Sequence, residues 1–141
     1  DLNINGATLT LTLSEALSSV VPATARFSVL VNGSARAVKS AAINTANNTV
    51  NLTLASAVTA GQTVTLAYTD ATAGNDTAGI IQDVAGNDLA SFTARSVSNN
   101  TPPPDTTPPT ATDLNINGAT LTLTPGSYTS RPHHMEWRHN K

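Results

Sequence analysis

The sequence predicts an all-β protein, an antiparallel β-sandwich of about seven strands. Three observations predict it. Apolar and β-branched residues alternate in short runs, the period that puts successive side chains on opposite faces of a strand. Turn residues (Asn-Gly pairs and clusters of Asp, Asn and Gly) punctuate those runs at roughly 8–12-residue spacing. Charged residues make up only 11% and aromatic residues 4%, while 39% are hydrophobic. A chain poor in charge and rich in Thr, Val and Leu is folded β structure; disordered chains are rich in charge or poor in β-branched residues.

The elements follow in order. Leu9, Leu11 and Leu13 alternate with Thr8, Thr10 and Thr12, so Ala7–Leu13 reads as a half-buried strand. Asn5-Gly6 before it pairs it with Leu2–Ile4 as a hairpin. Ser14–Ala25 has room for no more than a helical turn, because Pro22 interrupts it. Phe27–Val31 is the next strand, closed by Asn32-Gly33, and Ala35–Ile43 follows as one strand. Val50–Leu54 alternates, Ala60-Gly61-Gln62 turns, and Val64–Tyr68 alternates again. A polar loop then runs past Ile80-Ile81 to the turn Asp83–Asp88, and Ala90–Val97 closes the sandwich. The predicted core is Leu9, Leu11, Leu13, Phe27, Val29, Val31, Val38, Val50, Leu52, Leu54, Val64, Leu66, Tyr68, Ile81, Leu89 and Phe92.

Residues 1–12, DLNINGATLTLT, recur without change at 113–124, offset by 112 residues. A single globular domain has no use for such a copy; a tandem array of whole-domain repeats does. Five of the eight prolines lie between Pro102 and Pro109. Consecutive prolines hold extended backbone and refuse both helix and sheet ladder, so this stretch is a semi-rigid linker. The organisation expected is a sandwich repeat over 1–98, a Pro/Thr-rich linker over 99–112, the start of the next repeat over 113–124, and a tail over 125–141. The tail is of another kind, holding all three His and the only Trp and Met. It reads as vector-derived or out-of-frame sequence. On this frame the first copy lacks its own version of the DTTPPTAT that precedes Asp113.

Composition excludes several classes. No Cys is present, so there is neither a disulfide nor a thiolate site. The net charge of −2 does not suit nucleic acid. No apolar run is long enough for a membrane-spanning helix, so no membrane insertion is expected. Outside the tail the absence of His and Cys forbids Ser-His-Asp and Cys-His sites. Two Tyr and two Phe in the whole chain leave little to stack on a sugar beside a carboxylate pair. The chain is read as not an enzyme.

Asp70, Asn75, Asp76, Asp83, Asn87 and Asp88 place six oxygen-bearing side chains within 19 residues. Ca²⁺ takes 6–8 oxygens, and loops add backbone carbonyls. Calcium is therefore the candidate cofactor and these six its candidate ligands. The competing reading is turn chemistry, with Gly86 at positive φ and the Asp83 carboxylate accepting from backbone N–H groups. A second candidate pair is Asp105 with Asp113 at the junction. Lys39, the one lysine before the tail, reads as a solvated strand residue.

Three stretches carry a family resemblance: LTLTLSEAL (Leu9–Leu17), FSVLVNG (Phe27–Gly33) with VNLTLASAVTAGQTVTLAYTD (Val50–Asp70), and NDTAGIIQDVAGNDLASF (Asn75–Phe92). They resemble the Ig-like repeats of large bacterial surface adhesins and biofilm proteins, nearest to the cyanobacterial swarming-protein type. The resemblance implies an Ig-like sandwich, a secreted or cell-surface location and a stalk-spacing role. It also implies Ca²⁺ at or near junctions in some relatives. The expected function is a structural spacer or extender repeat of a bacterial adhesin. The expected partners are neighbouring repeats, with strand exchange through residues 113–124. The alternative is a glycan- or protein-binding module using the 70–88 loop, where Tyr68 is the nearest aromatic.

Overall fold

The computed structural model describes residues 1–71, 74, 75 and 79–126. It divides into two compact units, Asp1–Pro104 and a second beginning at Asp105. The first unit is an all-β sandwich. Its strands are β1 (Leu2–Asn5), β2 (Thr8–Thr12), β3 (Phe27–Val31), β4 (Ser34–Arg36), β5 (Val38–Asn44), β6 (Thr49–Leu54), β7 (Val64–Tyr68) and β8 (Phe92–Asn99). A 3₁₀ turn, Thr24–Arg26, precedes β3. Among the described residues the second unit holds one hairpin, β9 (Thr110–Asn117) and β10 (Thr120–Gly126).

The eight strands run in the order β4-β3-β7-β8-β1-β2-β6-β5. This is a sandwich of two four-stranded halves joined where β8 meets β1. Inward residues from both halves share one core: Leu9, Leu11, Val50, Leu52 and Leu54 from one, and Phe27, Val29, Val31, Val64, Leu66 and Val97 from the other. All adjacent pairs are antiparallel except one. β1 and β8 are parallel, with Asn3 opposite Ser98 and Ile4 opposite Asn99.

The local rules act where the sequence places them. Val31 and Ser34 face each other across the two-residue loop Asn32-Gly33, at φ 50° and 78°. Two positive φ values match the right-handed twist of the flanking strands. In the first hairpin Asn5 pairs with Thr8, so the loop is Gly6-Ala7 with Gly6 at φ 57°.

Ala35–Ile43, expected as one strand, is two. β4 pairs with β3 in one half, and β5 pairs with β6 in the other. The chain changes sheets at Ala37, whose carbonyl accepts from Ala55 N at 2.8 Å. Alternation lapses around the crossing, where Ala37-Val38 and Lys39-Ser40 stand as like pairs, but nothing in that lapse says that the two pieces pair in different halves. Leu13, Val38, Leu89 and Phe92 are only partly buried against the core. Ile4, Leu17, Val58, Ile80 and Val97 are buried and were not expected there.

Candidate functional site

The end of the sandwich near Asp1 is capped by two loops. Residues 14–23 and 79–89 bond to each other through Ser18 N to Gln82 O, Val84 N to Ala16 O, and Ala23 N to Gly79 O, each within 3.0 Å. Leu17, Ile80 and Ile81 drop into the apolar interior beneath. A cleft of about 180 Å³ between the two loops is lined by Ser14, Glu15, Gln82, Asp83, Asn87 and Asp88 over Leu13 and Leu17.

Tyr68 anchors this cap. Its ring lies between Phe27 and Phe92, at 5.5 and 5.9 Å between centroids. Its hydroxyl accepts from Ile81 N at 2.9 Å, inside the protein. Burial pushes its phenol pKa above the ordinary tyrosine value. Only 1% of Tyr68 is exposed, so its ring presents no face to a ligand.

Asp83 forms the turn that the spacing predicts. Its Oδ1 accepts from Ala85 N and Asn87 N, both at 2.8 Å, and its Oδ2 accepts from Asn87 Nδ2 at 2.8 Å. Gly86 sits at φ 89°. The Asn87 side chain, followed by the backbone N–H groups, holds the Asp83 carboxyl below the usual aspartate range.

The other candidate ligands are partly brought together. Asp88 Oδ1 accepts from Gln82 Nε2 at 2.9 Å, and Gln82 Nε2 also reaches Gly86 O at 3.1 Å. Asn75 Oδ1 accepts from Asp88 N at 3.4 Å, and Asn75 Nδ2 donates to Asn87 Oδ1 at 3.5 Å. Asp70 sits one step away, where its N donates to Ser91 Oγ at 2.8 Å. Asp76 lies outside the described residues. Both Asp83 oxygens thus accept from N–H groups, those of Ala85 and Asn87. Among the described residues no three His, Cys, Asp or Glu side chains are grouped to hold a metal.

At the junction, Asp105 Oδ1 accepts from Thr107 N at 2.9 Å, which lowers the Asp105 carboxyl pKa. Asp113 lies in β9. Lys39 is exposed at a bulge in β5, where Val38 faces Leu54 and Ser40 faces Thr53.

Sequence reasoning missed the residues that fix the opposite end. Asn99 Nδ2 donates to Thr59 O and Gln62 O at 2.8 and 2.9 Å, and Thr101 Oγ1 accepts from Gly6 N at 2.9 Å. These ties bind the end of β8 to the first hairpin and to the β6–β7 turn. Polar residues just before a Pro run were the available signal.

Comparison with known proteins agrees with this architecture. The sequence profile of the SWM repeat, described as "Putative flagellar system-associated repeat", matches residues 1–73. No curated protein matches. Two solved structures are similar in fold. The N-terminal part of the bacterial S-layer protein SbsC is 17% identical with a TM-score of 0.54, covering 80% of this chain and 24% of that one. Domains 1–6 of surface layer protein SbsC are 16% identical with a TM-score of 0.52, covering 80% of this chain and 14% of that one. The chain thus spans a quarter or less of the proteins it resembles in fold. With more than half of its length matched by one profile, the chain belongs to the SWM repeat family.

Proposed function

We propose that this chain is a structural spacer of a tandem array in a secreted or cell-surface bacterial protein, and that it carries tension along the array. The observation that carries the reading is the parallel pairing of β1 with β8. Parallel neighbours run the same way, so the chain comes in at Asp1, at one end of β1, and leaves past Asn100 at the other. Head-to-tail copies of such a unit extend into a line. Tension between Asp1 and Asn100 acts along the strands. It loads the bond from Asn100 N to Ile4 O (2.8 Å) and its neighbours together in shear.

Other observations support the reading. The 112-residue offset of two identical segments and the prolines between them are what an array of repeats requires. The fold likeness to a protein described as a bacterial surface layer component favours the cell surface. In this reading the unit holds spacing and needs no catalytic group. The test is single-molecule pulling of a four-repeat array. Equal unfolding steps of roughly 30 nm are expected, from about 3.4 Å per released residue. Absence of such steps, or of surface labelling on intact cells, would refute the role.

We further propose that the turn Asp83–Asp88 is closed by its own donors rather than by calcium. Three N–H groups already meet the two Asp83 carboxylate oxygens. Thermal melting with millimolar Ca²⁺ and with chelator is expected to coincide. A rise of several degrees with Ca²⁺ would restore the metal reading.

A further inference from the structure

β8 is used unequally along its two edges. Toward β7 it is paired from Phe92 to Val97. Toward β1 it is paired only at Ser98 and Asn99. Among the described residues no strand lies on the rest of that edge. Beside it runs a groove of about 730 Å³, lined by Asp1, Leu2, Leu11, Leu89, Phe92 and Ser96 among others. β1 points into this groove at Asp1.

We infer that this groove is the seat of the residues directly upstream of the repeat, the Thr-Ala-Thr that precedes Asp113 in the second copy, running on from β1 as a parallel strand on β8. The inference rests on the tandem-array reading, because the repeat register places a copy of Thr110–Thr112 before Asp1. Four observations carry it. In the second copy β9 begins at Thr110, three residues before Asp113, so this segment takes up strand conformation there. Thr is a good strand former. The β1–β8 register puts the residue before Asp1 opposite Arg95, along the open edge. The alternation that buries Ile4 and half-buries Leu2 turns the copies of Thr112 and Thr110 inward, their methyl groups toward Leu2 and Phe92, and leaves the Ala outside.

The backbone donors fit as well. Alternate residues of a strand turn their N–H groups to the same side. With Asn100 N donating to Ile4 O, the Ser96 N–H points to the same open side, where the carbonyl of the residue before Asp1 arrives. The ladder stops after roughly three residues. Upstream counterparts of Pro108 and Pro109, placed there by the array, would offer no N–H. On β8 a bulge between Phe92 and Arg95 breaks the register. The consequence is mechanical. The linker lengthens the parallel pair that tension loads in shear, and it covers an edge that otherwise invites foreign strands.

The test compares three forms of the full chain. One is unextended. One carries Thr-Pro-Pro-Thr-Ala-Thr before Asp1. The third carries Thr-Pro-Pro-Pro-Ala-Pro, which removes the two N–H groups that face β8. The readout is hydrogen exchange of the Ser96 amide by NMR. The Thr-Ala-Thr extension is expected to slow it at least roughly ten-fold, and the proline form to leave it near the unextended rate. Equal exchange in all three forms overturns the inference. So does protection that grows with protein concentration, since a second copy would then supply the strand. This comparison does not depend on the length of any array, so its failure is separate from failure of the pulling experiment.

Discussion

At Tyr68 a single hydroxyl ties the start of the 79–89 segment to the core. The ring fills the space between Phe27 and Phe92, and the oxygen satisfies the buried Ile81 N–H. Tyr68→Phe keeps the ring and orphans that amide, so it is expected to cost about 1–3 kcal/mol in urea unfolding. The burial of Tyr68 was legible from the alternation of Val64, Leu66 and Tyr68; its bond to Ile81 joins residues 13 apart and was not. The backbone bonds of Asp83 were legible, because an Asx turn closes within four residues. Its folded pKa lies below its unfolded one. Its contribution to stability is therefore present above the ordinary aspartate pKa and is lost as pH falls through the lower folded value. Asp83→Asn should flatten that part of the acid limb of stability, read by urea midpoints between pH 5 and pH 2. An unchanged acid limb would show that other carboxylates control it.

The strands were legible as runs, and so was the β1–β2 hairpin; the partners distant in sequence were not. Alternation marks which residues of Val64–Tyr68 face inward, but nothing local says that β7 lies between β3 and β8. The break at Ala37 escaped for the same reason, since it shows only in which strands the two pieces pair with. The short turns are local and were visible. Gly33 at φ 78° has open space where a Cβ would stand. Gly33→Ala therefore meets no clash, and its cost of about 1–2 kcal/mol is purely that of left-handed backbone. Equilibrium unfolding should show this loss, with the same denaturant slope as the parent. The two outermost strands are guarded differently. β4 is three residues long, and β5 carries Lys39 at its bulge. Short length, a bulge and a lysine each discourage a foreign strand.

On the scale of the molecule, every residue of the buried cluster falls between Ile4 and Val97. Truncation after Pro104 is expected to leave the melting temperature of the sandwich unchanged. The hairpin removed by that cut exposes Leu114, Leu121 and Leu123, each at least 60% open to solvent. The full chain should therefore self-associate with rising concentration and the truncated one should not, as sedimentation will report. Persistent association after truncation would locate the sticky surface on the sandwich itself. The two copies of one twelve-residue segment separate what sequence fixes from what tertiary structure decides. Both fold as the same hairpin around Gly6 or Gly118, at φ 57° and 62°, because strand alternation and a glycine turn are written within the segment. Leu9 and Leu11 are buried, while their copies Leu121 and Leu123 are exposed. Burial requires β6 beside β2, a facing half-sheet from residues 27–97, and β8 beside β1. Those surfaces are brought from elsewhere in the chain, and twelve residues cannot encode them.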